Sequence, residues 1–203
     1  MKINGLILAA GMSRRMGEFK PLLKINNKTM IEHSIDSMIK AGVKDIVLVL
    51  GHRGSEIEEV LKLYGYPNNM HVVYNNYYDT TEMLDSIKIG LNKIGDCDAF
   101  FLLPGDMPAI DPHTFLKLIK VMEGYETKSK IVFPTVEGHR KHPPLVSKTY
   151  IPDILRFESD GGLRELWKSF ELDILSIPVD DMGCTIDVDT KVQYKKVCNY
   201  MKL

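Results

Sequence analysis

The chain has 203 residues, 44% of them hydrophobic, and sets 26 Lys and Arg against 27 Asp and Glu for a formal net charge of −1. This length suits one globular domain with one core, and the ordinary apolar content excludes a disordered or collagen-like chain. The balanced charge, whose longest basic cluster is Arg14-Arg15, gives no footprint for nucleic acid. No stretch approaches the roughly 20 apolar residues of a membrane span. The apolar run from Ile3 to Ala10 is short and lacks the charged leader of a secretory signal. Three cysteines, Cys97, Cys184 and Cys198, form no CxxC pair. They indicate neither a disulfide framework nor a structural zinc site, and a reducing cytoplasm is expected.

Short apolar runs alternate with longer amphipathic stretches. Ile3 to Ala9 reads as a buried strand. Thr29 to Ala41 carries apolar residues at Met30, Ile31, Ile35, Met38 and Ile39, a helical spacing that Gly42 stops. Asp45 to Leu50 is a second strand and Ser55 to Leu63 a helix ended by Gly65 and Pro67. Met70 to Tyr74 is a third strand, Glu82 to Ile94 a helix, and Ala99 to Leu103 a fourth strand closed by Pro104-Gly105. Pro112 to Met122 is a helix with Asp111 as its cap, and Lys130 to Pro134 a fifth strand. Beyond it come an extended Pro143 to Ser147, a helical Tyr150 to Phe170 interrupted at Asp160-Gly161-Gly162, a strand from Asp173 to Val179 and a helix from Asp189 to Met201. Strands apolar on both faces and separated by helices imply an α/β fold: a doubly wound, mostly parallel, Rossmann-like sheet with helices on both faces, in a single domain. This regular alternation occupies residues 1–135, and residues 136–203 form a less regular portion of the same domain.

In such sheets ligands lie beyond the carboxyl ends of strands, which directs attention to the segments after Ala9 and Leu103. The first strand runs into Leu8-Ala9-Ala10-Gly11-Met-Ser13-Arg14-Arg15-Met-Gly-Glu-Phe-Lys20. Small residues let a ligand approach the backbone, and free N–H groups, a hydroxyl, two guanidiniums and an ammonium suit a triphosphate. Neither GxxxxGK[ST] nor the GxGxxG dinucleotide fingerprint is present, which argues against a P-loop enzyme and a Rossmann dehydrogenase. After the fourth strand, Gly105-Asp106-Met107-Pro108 places a carboxylate in the crevice as a hard oxygen ligand for Mg²⁺. Asp187 and Asp189 alternate on an extended stretch before the last helix. They can complete a metal site with Asp106, or Asp189 can cap the helix.

These motifs, in this order, resemble the molybdenum cofactor cytidylyltransferase family within the wider group of α/β nucleotidyltransferases, whose fold is that of the nucleotide-diphospho-sugar transferases. The family signature LAAGxSxRMGxxK is matched from Leu8 to Lys20 and its GDxP turn by Gly105 to Pro108. Its closing D-I-D-T-P-E-D is met by Asp187-Val-Asp189-Thr190, after which Lys191-Val192-Gln193 depart from it. The resemblance implies that residues 1–135 form the nucleotide-binding portion and 136–203 the portion that binds the acceptor and completes the metal site. It implies that the backbone around Ala10 and Gly11 holds base and ribose, and that Ser86, in the stretch from Glu82 to Lys88, helps hold the base. It implies that Arg15 and Lys20 grip the phosphates while Asp106 binds Mg²⁺ with Asp187 or Asp189. His142-Pro143 and Gly161-Gly162 would line the acceptor side. An in-line attack by the acceptor's phosphate oxygen on the α-phosphorus would release pyrophosphate.

The implied donor is CTP, favoured over GTP by Leu-Ala-Ala-Gly in place of Leu-Ala-Gly-Gly, and the implied acceptor is molybdenum-loaded molybdopterin. A molybdenum hydroxylase would receive the product. Two rivals stand beside this reading: a sugar- or polyol-phosphate nucleotidyltransferase, and a non-catalytic carrier or assembly partner for the cofactor.

Overall fold

Every residue of the first strand, β1 (Ile3–Ala9), is buried. A strand covered on both faces must lie inside a sheet with helices above and below it. A computed structural model of the chain describes residues 1–13, 16–66, 69–124, 130–158 and 161–202. After β1 the chain forms a small antiparallel hairpin, β2 (Lys24–Ile25) and β3 (Lys28–Thr29), then α1 (Met30–Lys40), β4 (Ile46–Leu50), α2 (Gly54–Leu63), β5 (Met70–Tyr74), α3 (Met83–Leu91) and β6 (Ala99–Pro104). Next come α4 (Pro112–Glu123), β7 (Ile131–Val136), β8 (His139–Arg140), β9 (Leu145–Ser147), α5 (Ile151–Arg156), α6 (Gly162–Ser169), β10 (Ile174–Pro178) and α7 (Lys191–Tyr200).

Among the described residues the main sheet has eight strands, in the order β10-β7-β9-β6-β1-β4-β5, with β8 paired to β7. β1 pairs in parallel with β4 on one side and β6 on the other, so the winding reverses direction between β1 and β6. The carboxyl ends of these two strands flank the crevice where α/β sheets receive ligands. β9 is wedged antiparallel between β6 and β7, its Leu145 opposite Phe101 and Val132. Strand alternation sorts the core into two layers. Ile7, Leu48 and Phe101 pack on the side of α1, α2 and α4, with Ile35 and Phe115. Leu6, Val47 and Phe100 pack on the side of α3, α5 and α6, with Ile87 and Leu166. A third cluster of Met16, Ile25, Met30, Val188 and Val197 fastens α7 beneath the hairpin.

The expected strands and helices are present, most within two residues of their predicted ends. The stretch from Tyr150 to Phe170 is two helices, α5 and α6, and the 3-10 turns and the strands β2, β3 and β8 are additions. Asp189 does not cap the last helix: Thr190 does, its side chain accepting from the Gln193 N–H. The α1 terminus carries a capping box written in the sequence as Thr29-x-x-Glu32. Thr29 Oγ1 accepts from the Glu32 N–H at 3.4 Å, and Glu32 Oε2 accepts from the Thr29 N–H at 2.7 Å. Thr29→Ala is expected to cost about 1 kcal/mol, a fall of roughly 2–4 °C in Tm for a domain of this size, read by thermal melting.

Candidate active site

The loop that leaves β1 folds back on itself before the hairpin. Ser13 has a positive φ of 53°, its carbonyl accepts from the Met16 N–H, and its Oγ accepts from the Lys20 N–H at 3.2 Å. The loop therefore curls, and Lys20, first residue of a 3-10 turn, points inward with only 8% of its surface exposed. β6 delivers its carboxylate through the Pro104-Gly105 turn. The Gly105 N–H donates to the Leu8 carbonyl at 2.8 Å, which ties the two strand ends together. A Cβ on Gly105 would lie 3.1 Å from that carbonyl oxygen and 3.2 Å from the Ala9 Cβ, so a larger residue would have to push the strand ends apart by a few tenths of an ångström.

Between these ends lies a cleft of about 240 Å³. Its wall includes every predicted nucleotide-binding residue that falls within the described structure: Leu8, Ala9, Ala10, Gly11, Ser13, Lys20, Ser86, Gly105 and Asp106. Arg14 and Arg15 lie outside the described residues. The opposite wall adds Tyr78 and Thr81, which were not read from the sequence, beside Glu82 and Met83 of the stretch that carries Ser86. The rule applied to the ends of β1 and β6 would have reached it from the carboxyl end of β5, where Asn75 stands.

The charges meet at one point. Lys20 Nζ lies 3.2 Å from Asp106 Oδ2 and 2.5 Å from Asp189 Oδ1. The C-terminal segment is brought there by the Val188 N–H, which donates to the Asp106 carbonyl. Burial holds the Asp106 carboxyl above its ordinary range, with the Lys20 charge and hydrogen bond acting in the other direction. Asp187 is exposed, and its Oδ1 accepts from Gln193 Nε2 at 3.4 Å, so the two aspartates of the closing motif have different partners. Among the described residues no group of three or more His, Cys, Asp or Glu is placed to hold a metal ion. Asp106 and Asp189 nonetheless converge on a single cation. Two carboxylates at the mouth of a phosphate-sized cleft suit a hard divalent ion that takes its other ligands from phosphate and water.

On the expected acceptor side, His142 precedes a cis peptide bond to Pro143. Burial lowers the His142 pKa, against a hydrogen bond to the Leu102 backbone and the charge of Asp187, and Nδ1 has no hydrogen-bond partner among the described residues. Gly162 opens α6 with φ +55°, and a Cβ there would fall 2.6 Å from Glu82 Oε2. The Gly161-Gly162 turn thus rests against a residue of the cleft wall, while Asp160 lies outside the described residues. Lys88 Nζ donates to the Phe157 carbonyl at 2.6 Å and fixes the approach to that turn.

Comparison with known proteins agrees with this fold. The description of the MobA-like NTP transferase domain matches residues 5–174. The molybdenum cofactor cytidylyltransferase of Escherichia coli (strain K12) is 27% identical over 188 residues, covering 93% of this chain and 91% of the relative. A mannose-1-phosphate guanyltransferase of Hypocrea jecorina is 29% identical over 156 residues, covering 74% of this chain but 42% of that longer protein. The crystal structure of Rv0371c from Mycobacterium tuberculosis H37Rv superposes with a TM-score of 0.81 at 26% identity, covering 98% of this chain and 99% of that one. A structure of Rv0371c with manganese gives 0.76 at 24% identity, covering 98% and 99%.

Proposed function

This chain belongs to the MobA-like NTP transferase domain family and is a nucleotidyltransferase, and on that premise we propose that it moves CMP from CTP to molybdenum-loaded molybdopterin with Mg²⁺. The products would be molybdopterin cytosine dinucleotide and pyrophosphate, the dinucleotide passing to a molybdenum hydroxylase. The observation that carries the proposal is the convergence of Lys20, Asp106 and Asp189 at a cleft walled by Leu8 to Gly11. Support for the cytidylyl donor and pterin acceptor comes from the Escherichia coli relative, which matches this chain over nearly its whole length.

The residues divide the work. The small side chains of Ala9, Ala10 and Gly11 leave room for the nucleotide against the backbone, and Ser86 meets the base from the opposite wall. Lys20, with Arg14 and Arg15 from the same loop, holds the phosphates and receives charge as pyrophosphate leaves. Asp106 and Asp189 would hold Mg²⁺. Bound there, the ion supplies charge neutralisation at the α-phosphate. His142, Pro143, Gly161 and Gly162 line the acceptor's side. The attacking phosphate oxygen is already ionised near neutral pH, so no side chain has to remove a proton from it.

The test is pyrophosphate release from CTP, GTP, ATP or UTP, with and without the loaded pterin. Acceptor-dependent release with CTP alone, abolished by chelator and restored by Mg²⁺, is the expected result. Turnover with sugar phosphates and not with the pterin would move the chain towards the guanyltransferase relatives. Tight nucleotide binding without turnover on any acceptor would make it a carrier.

A further inference from the structure

The turn after β4, Gly51-His52-Arg53, is not part of the cleft lining, yet it touches both walls. The His52 N–H donates to the Ala10 carbonyl at 3.3 Å. Gly51 is pinned between the walls: a Cβ there would fall 2.7 Å from the Ala10 oxygen and 2.8 Å from the Tyr78 Cβ. The half-buried His52 ring stands between two others. It meets the Phe19 ring edge-on, with centroids 5.7 Å apart and planes at 81°, and the Tyr78 ring at 5.8 Å. Both separations lie in the range of attractive ring pairs. The Arg53 guanidinium covers Phe19 at 4.9 Å from its centroid, within reach of a cation–π contact. Arg53 has a φ of 52°, uncommon for a residue with a side chain, and Glu56 holds its guanidinium through hydrogen bonds of 2.6 and 2.7 Å. Phe19 immediately precedes Lys20. It is buried, and its carbonyl accepts from the Leu22 N–H, which begins the turn that Lys20 opens. Two anchors therefore set the direction of the Lys20 side chain: Ser13 on its own N–H, and the groups packed around Phe19 one residue earlier.

We propose that His52 is a positioning residue for Lys20: wedged between Phe19 and the wall residue Tyr78, it holds the loop that bears Lys20 at a fixed distance from the opposite wall, so that the ammonium meets a triphosphate without first reorganising. A charged group stabilises a transferring phosphoryl group best when it is oriented beforehand. A misplacement of about 1 Å, caused by a change away from the chemistry, can cost on the order of 10²-fold. The inference rests on Lys20 gripping the phosphates of a nucleoside triphosphate, as proposed above.

The test is calorimetric binding of CTP, GTP, ATP and UTP, each beside its monophosphate, to the full-length chain with Mg²⁺. The native protein, His52→Ala, Lys20→Ala and the double variant are compared, each checked by thermal melting. His52→Ala is expected to weaken the triphosphate that the native chain binds by roughly 10-fold, about the worth of one charge-assisted hydrogen bond, and to leave its monophosphate unchanged. A loss of packing alone would lower Tm without separating the two nucleotides. In the Lys20→Ala background His52→Ala is expected to add no further loss, because it acts through Lys20. Native triphosphate affinity in a folded His52→Ala, equal losses for both nucleotides, or losses that multiply in the double variant would overturn the proposal. Should His52→Ala not fold, Phe19→Leu decides, since unchanged triphosphate affinity there overturns it too. If the native chain binds a triphosphate other than CTP, the cytidylyl reading falls and His52 is judged on that nucleotide; if it binds none, both fall.

Discussion

Lys20→Ala is expected to lower kcat/KM at least 10²–10³-fold, the usual loss when one charge-stabilising contact to a transferring phosphoryl group is removed. The same substitution is expected to destabilise the fold. Lys20 is the cation between Asp106 and Asp189, with 10% of its side chain exposed against 27% and 19% for the two carboxylates. Without it two like charges face each other half-buried. Breaking a buried pair by removing one partner commonly costs 3–5 kcal/mol, and the residual exposure of both carboxylates brings the expected loss to about 2–3 kcal/mol. A divalent ion can then take the vacated position, so Mg²⁺ should raise the Tm of Lys20→Ala by more than it raises that of the native chain. Thermal melts with and without Mg²⁺, alongside pyrophosphate release, check both parts. Near-native turnover would remove Lys20 from the reaction, and an equal Mg²⁺ response would remove the shared site.

Asp106→Asn is expected to separate activity from stability in the opposite sense. Turnover should fall by 10²–10³-fold or more, because the amide cannot supply the charge. Stability should rise. Burial lifts the Asp106 pKa above its ordinary range, so the folded chain binds this proton more readily than the unfolded chain does. That contribution to stability is present in acid and is lost as pH rises through the folded-state value, which leaves the ionised carboxylate a net cost at neutral pH. Asparagine removes that cost while Asp189 still pairs Lys20. The gain in Tm should therefore be largest near neutrality and vanish at acid pH, where the native carboxyl is protonated in both states. A Tm below native at neutral pH would show that the Lys20–Asp106 contact outweighs the burial.

How far these residues could be found in advance depends on their place along the chain. The strands were legible because β1, β4 and β6 are unbroken apolar runs that a parallel sheet buries on both faces. The winding reversal between β1 and β6 needs the pairing itself, yet the small residues after Ala9 and the Pro-Gly turn after Leu103 already mark it. Lys20 and Asp106 emerge from that logic. The partnership of Lys20 with Asp189 does not, since nothing local relates a lysine in a loop to a carboxylate before the final helix. Asp187 and Asp189 are equivalent by alternation, and only their partners in the fold distinguish them, Lys20 for Asp189 and Gln193 for Asp187. Tyr78, Thr81 and Asn75 give no signal because their stretch is polar and aperiodic, and its order comes from side chain-to-backbone bonds rather than from a repeating pattern.

The ion cluster joins residues 169 positions apart, whereas the described residues that wall the cleft all lie between Leu8 and Asp106. A ribosome makes these parts in that order. The segment bearing Asp189 therefore leaves the ribosome last, so in the life of each molecule the proposed nucleotide cleft precedes, in order of synthesis, the final charge of the proposed reaction centre.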